Sequence, residues 1–259
     1  MTSPRSQVLT TSDGVTLIAT YWPGPHDAVA YLVCHGFTGS STVPHVSRIC
    51  EQLAATGSAV LAPDFRGHGR SGGLSTAGAL EIHDAAAAVQ WLRAEGFARV
   101  ALVGWSMGGS VVLRYAGLGG DADAVVSVSS PGAWFERGTR SMRMVHWMFE
   151  TRSGRLVSRL ARRTRLESGG WDVIPESPSE VAGRISPRPL LIVHGDADHY
   201  FPSRHVELLA AAAPTAQVWI EPGMGHAETA TTPDLVARIA DWVVTVVGSS
   251  PVCDDARRD

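Results

Sequence analysis

Ser106 stands in Gly104-Trp105-Ser106-Met107-Gly108, directly after the apolar run Val100-Ala101-Leu102-Val103. A buried strand that ends in Gly-x-Ser-x-Gly and feeds a helix, here Gly109-Ser110-Val111-Val112-Leu113, is the sequence form of a nucleophile elbow. The sharp turn strains the serine backbone and pushes its hydroxyl out over the sheet edge. Side chains at the flanking positions 104 and 108 would collide with the neighbouring strand and helix. A serine hydroxyl is a weak nucleophile until a base takes its proton, and that base needs an acid to orient it. The chemistry to look for is acyl transfer, with a histidine and a carboxylate supplied from elsewhere in the chain.

Two later loops supply them in the order Ser, Asp, His that goes with such an elbow. The apolar stretch Leu190 to Val193 is followed by His194-Gly195-Asp196-Ala197-Asp198, and Gln217 to Ile220 by Pro222-Gly223-Met224-Gly225-His226. His226 is the expected general base and then general acid. Asp198 is the preferred acid, to fix the imidazole tautomer; Asp196 competes for that role and is otherwise expected to cap its loop. An oxyanion needs backbone donors. The amide of Met107, next after the serine, should be one, and the amide of Phe37, in His35-Gly36-Phe37-Thr38-Gly39, the other. His35 is expected to brace that loop by hydrogen bonding. The histidines fall in no ligand-like spacing and Asp196-x-Asp198 alone is too little for a metal, so neither metal nor cofactor is expected.

These residues must be carried by strand ends. Gln7–Thr10 and Thr16–Ala19 flank Asp13-Gly14, a hairpin signal. Further strands are expected at 29–34, 59–62, 100–104, 124–128, 190–193 and 217–220. Helices are expected at 46–55, 79–93, 110–118, 204–212 and 234–247. Strands alternating with helices imply an α/β fold with a mainly parallel eight-stranded sheet, helices on both faces, and ligands at the carboxyl ends of the strands. The alternation stops over 133–183, where no strand signal appears and aromatic, Met and Arg residues cluster. That stretch is too long for a structureless loop and predicts one or two amphipathic helices forming a small lid.

The bulk numbers bound the rest. A chain of 259 residues with 44% hydrophobic residues suits one domain with a large core. The net charge of -3 gives no general argument for nucleic acid as a partner. All 22 basic residues are arginine, which base composition explains more simply than bidentate pairing. Cys34, Cys50 and Cys253 form no metal pattern and suggest reduced thiols in a cytoplasmic protein. No signal core follows Met1 and no apolar run is long enough to span a bilayer; the polar tail 248–259 is expected to be disordered.

His35-Gly36-Phe37, the stretch Asp64-Phe65-Arg66-Gly67-His68-Gly69-Arg70-Ser71, the pentapeptide around Ser106, His194 to Asp198, and Gly225-His226 together resemble the α/β-hydrolase superfamily. The resemblance covers nearly the whole chain except the lid. It implies the α/β-hydrolase fold with a small helical cap and a Ser-His-Asp hydrolase acting without a cofactor. It implies structural roles for Arg66 and His68. A serine nucleophile sets the chain apart from the branches that use aspartate. The pattern does not name a substrate: esterases, monoacylglycerol lipases, thioesterases, peptidases, C–C hydrolases and perhydrolases share it.

The leading expectation is a carboxylic ester hydrolase working through an acyl-enzyme on a small acyl ester. A thioester or activated C–C bond is the alternative electrophile, and a non-catalytic ligand receptor the alternative class. Trp105, Phe37, Trp147, Met148 and Phe201 are the expected lining of the substrate pocket. From Arg137 to Arg165 the chain has nine arginines and one acid, Glu150. A solvated charged surface is the plain reading of that set. Attraction of an acidic substrate and contact with an anionic membrane are the functional alternatives.

Overall fold

The computed structural model describes residues 3–248. The hairpin is present as β1 (Arg5–Thr10) and β2 (Thr16–Trp22), closed by Thr11, whose amide donates to Val15 O at 3.0 Å. The chain continues through β3 (Ala30–Cys34), α1 (Pro44–Ala55), β4 (Ala59–Pro63), α2 (Glu81–Ala94), β5 (Val100–Trp105), α3 (Met107–Gly117) and β6 (Ala124–Val128). After a long insertion come β7 (Leu190–Gly195), α7 (Arg204–Ala212), β8 (Gln217–Glu221), α8 (Ala227–Ala230) and α9 (Pro233–Gly248). The eight strands form one sheet in the order β1-β2-β4-β3-β5-β6-β7-β8. β2 runs antiparallel to β1 and β4, and every other neighbouring pair is parallel.

Side chains of a strand alternate between faces, and the sheet uses both. Leu32, Leu61, Leu102, Val125 and Ile192 pack with α2, α3 and α7 on one face. Tyr31, Val33, Val60, Val103, Val126 and Val193 pack with α1 and α9 on the other. The central strands are buried throughout, which is why they read as unbroken apolar runs. Each such aliphatic side chain contributes roughly 1.5–3 kcal/mol by leaving water.

The insertion between β6 and β7 differs in part from the expected lid over 133–183. Helices α4 (Arg140–Glu150) and α5 (Arg152–Arg162) pack on each other and share Thr151, which ends the first and caps the second by accepting from Gly154 N at 2.9 Å. Residues 164–167 then run along the body: Ser75 N donates to Arg165 O at 2.8 Å, Glu167 N to Ser75 O at 2.9 Å, and Ser75 bridges Leu166. The short helix α6 (Pro178–Ala182) packs on α3 and α7 as part of the body. The expected boundary at 183 is therefore too late, because Val181 and Ala182 are apolar residues buried in the body. Gly248, expected in the tail, closes α9, and 249–259 lie outside the described residues. Among the described residues no helix is long and apolar enough to cross a membrane.

Candidate functional site

β5 delivers Ser106 into a turn with φ 51° and ψ -117°, and α3 begins at the next residue. The position costs strain for a residue with a Cβ. It is held by Ser106 N donating to Val128 O at 2.8 Å and Ser110 N to Ser106 O at 3.1 Å. Gly108 explains the spacing of the motif. A Cβ there would lie 2.1 Å from Cys34 O, so only glycine lets α3 start against β3. Strain recurs around the serine: Thr38, Ser129 and Ala227 also have positive φ, of 64°, 50° and 52°. Ala227 is held by donating its amide to Ser129 Oγ at 3.2 Å.

The loops after β7 and β8 meet beside the serine. His226 Nε2 lies 3.0 Å from Ser106 Oγ, and His226 Nδ1 lies 2.8 Å from Asp198 Oδ2. With Nδ1–H donating to Asp198, Nε2 is free to accept the serine proton. The Asp198 side chain is fully buried and that of His226 nearly so. Burial alone would raise the Asp198 pKa. The hydrogen bond and charge of His226 and the amides of Phe201 and Tyr200 outweigh it, leaving the carboxyl below its ordinary value. Those amides donate to Asp198 Oδ1 at 3.1 and 2.7 Å. The two loops approach through Gly195, where a Cβ would lie 2.1 Å from Met224 O. Asp196 stays outside the relay and caps the neighbouring loop, accepting from Gly223 N at 2.6 Å.

Met107 opens α3, so its amide has no acceptor within that helix. The Phe37 amide makes no hydrogen bond among the described residues. His35 braces its loop from below: Phe65 N donates to His35 Nε2 at 3.0 Å, which leaves Nδ1–H to donate to Gly36 O at 2.8 Å. Burial pushes the pKa of His35 and of its neighbour His68 down to about 4. Arg66 is structural, paired with Asp84 and Asp13 at 2.7 Å each.

A cavity of about 980 Å³ opens over Ser106. Four of the five residues expected to line it do so: Phe37, Trp147, Met148 and Phe201, joined by Met107, Met142, Phe149 and Tyr200. Trp105 does not. On β5 it shares a face with Ala101 and Val103, among α1 and α9, and is 1% exposed. Its Nε1–H donates to Thr231 Oγ1 at 3.0 Å, and Thr231 Oγ1 in turn donates to Ala227 O at 2.9 Å. Trp105 thus supports the turn after His226 from behind the sheet.

Two neighbours of the relay were not singled out from the sequence. The Tyr200 ring stacks on the His226 imidazole, with centroids 4.1 Å apart. Glu228, buried in α8, accepts from Gly36 N at 2.5 Å and so ties the Phe37 loop to the turn that carries His226. Their only sequence signal is position, two residues beyond Asp198 and His226. Among the described residues no group of three or more His, Cys, Asp or Glu is placed to hold a metal ion.

YfhR of Escherichia coli K12, itself uncharacterized, is 29% identical over 222 residues, covering 82% of this chain and 69% of YfhR. The Pyrococcus furiosus esterase Pf2001 superposes with a TM-score of 0.76 at 26% identity, covering 95% of this chain and 92% of its own. The α/β hydrolase GrgF from Penicillium superposes with a TM-score of 0.77 at 17% identity, covering 95% and 100%. The family model described as alpha/beta hydrolase fold matches residues 31–163, from the first central strand through α5. With just over half of its length in that match, the chain belongs to the alpha/beta hydrolase fold family.

Proposed function

We propose that this chain is a serine hydrolase that cleaves a carboxylic ester through an acyl-enzyme. Ser106 Oγ attacks the ester carbonyl while His226 Nε2 takes its proton, and Asp198 stabilises the imidazolium that forms. The amides of Met107 and Phe37 receive the oxyanion. His226 then returns the proton to the departing alcohol, and a water activated by the same imidazole hydrolyses the acyl-serine. The observation that carries this reading is the continuous chain from Ser106 Oγ to His226 to Asp198, at 3.0 and 2.8 Å, on a serine with φ 51°. Hydrolysis is also the chemistry of the family. The esterase activity of Pf2001, a relative similar over 95% of this chain, favours oxygen esters.

The test is hydrolysis of short-chain p-nitrophenyl esters, with labelling by a fluorophosphonate probe. Wild type is expected to turn over the esters and to be labelled at Ser106. Ser106→Ala should lose labelling and several orders of magnitude in kcat. Undiminished ester hydrolysis by that variant, or a wild type inert to both reagents, refutes the proposal.

A further inference from the structure

Five of the nine arginines between 137 and 165 are placed where the fold does not use them, while Arg143 donates to Arg137 O and Gly138 O at 3.3 and 3.1 Å. Arg137 pairs with Glu150, the one acid between 137 and 165. Arg155 donates to Phe149 O and Arg165 to Ser71 O. Arg140, Arg152, Arg159, Arg162 and Arg163 are exposed, and their side chains have neither a carboxylate nor a hydrogen-bond partner among the described residues. The helix dipole favours Arg159 and Arg162, in the last turn of α5, but not the arginines at the helix starts. Arg140 and Arg143 lie in the first four residues of α4, Arg152 and Arg155 in the first four of α5, and neither first turn holds an acid. Cations at a helix N-terminus oppose the macrodipole. A surplus of eight positive charges therefore sits on one short segment of a chain whose net charge is -3.

The spacing adds a second feature. Arg152, Arg155, Arg159 and Arg162 follow helical periodicity and form one stripe along α5. Gly154 and Ser158 make its buried side. Leu156 and Leu160, each one residue beyond an arginine of the stripe, stand exposed along the neighbouring edge, Leu160 at 73%. The apolar residues of the cavity mouth are open too: Phe135, Met144 and Ile174 line the cavity and are exposed. Water meets unpaired arginines and bare leucines on the same helix, next to the opening above Ser106.

We infer that this face docks on an anionic lipid bilayer, with α5 lying in the headgroup layer and the cavity mouth turned toward it. Anionic headgroups neutralise the arginine stripe, and the leucine edge enters the boundary with the acyl chains. The leucines decide between a membrane and a soluble acidic protein, since charge alone would serve the latter. The inference concerns binding and does not depend on ester cleavage.

Flotation of the full chain with vesicles tests it. Phosphatidylcholine vesicles are compared with vesicles containing about one-third phosphatidylserine. Binding to the anionic vesicles alone is expected, weakening as salt rises and the Debye length falls from about 10 Å toward ~3 Å. The double variant Arg152→Gln/Arg159→Gln should bind about twenty-five-fold more weakly, at about five-fold per arginine. Arg152→Lys/Arg159→Lys should keep wild-type binding. Leu156→Ser/Leu160→Ser should lose the part of binding that survives high salt. All three variants should keep turnover of a water-soluble ester, because these exposed side chains do not line the cavity. Equal binding to neutral and anionic vesicles, unchanged binding by the glutamine variant, or binding to soluble polyglutamate without binding to vesicles overturns the inference.

Discussion

Asp198→Asn isolates the role of the acid with little change of shape. Oδ1 of Asp198 accepts from Tyr200 N at 2.7 Å and Phe201 N at 3.1 Å, while Oδ2 faces His226 Nδ1 at 2.8 Å. An asparagine can keep its oxygen toward the two amides. Its NH₂ must then point at Nδ1, which can only meet it as an acceptor. The ring proton moves to Nε2, 3.0 Å from Ser106 Oγ, where a lone pair is needed. The base is lost through the tautomer, with every heavy atom in place. The equivalent change in serine proteases costs about 10⁴-fold in turnover, or ~5.4 kcal/mol of barrier. Asp198→Ala instead strands the part-buried amides of Tyr200 and Phe201, at up to about 1–3 kcal/mol each. Ester hydrolysis and thermal melting, measured together, separate the cases. Asp198→Asn should lose about 10⁴-fold in kcat with a melting temperature near wild type, and Asp198→Ala should lose both activity and stability. Turnover by Asp198→Asn within about tenfold of wild type would refute the assignment of Asp198 and its tautomer argument.

Glu228→Ala should lower kcat about 10- to 100-fold with KM little changed, because Gly36 loses its acceptor and the Phe37 amide loses its placement; Glu228→Gln should recover most of the loss, and steady-state kinetics on the pair checks both. Trp105→Phe removes the hydrogen bond to Thr231 and should cost about 1–2 kcal/mol in denaturant melts, while leaving the relative KM values across an ester chain-length series unchanged. His68 titrates at about 4 when folded, so below its ordinary 6.5 the unfolded chain binds the extra proton. Its contribution is fully present above pH 6.5 and is lost as pH falls toward 4. His68→Phe forfeits the Nδ1–H bond to Arg66 O but nothing at the unpartnered Nε2. Its denaturant-measured stability should therefore fall less steeply than wild type over that interval, by about 1.4 kcal/mol per pH unit; parallel slopes would show that His68 does not titrate on unfolding.

What could be read in the chain without coordinates is what depends on local order. Apolar runs and turn residues repeat along the backbone, so the eight strands and the flanking helices are written in the periodicity of the residues themselves. Gly-x-Ser-x-Gly after a strand demands a specific turn, and Asp198 and His226 follow strands whose ends fall on the same edge of a parallel sheet. Ser106, Asp198 and His226 were legible for that reason, and the structure brings them into hydrogen-bond contact. Tertiary packing decided the rest. Trp105 neighbours the serine in sequence but lies behind the sheet, since alternation along β5 turns it toward α1 and α9. Glu228 reaches Gly36 across 192 residues, a contact that no local pattern records. The insertion divides where burial divides it, with α6 in the body and α4 and α5 paired on each other. Spacing along a chain determines which side chains share a strand end or a helix face; which faces meet is settled only when the apolar surfaces of distant segments leave water together.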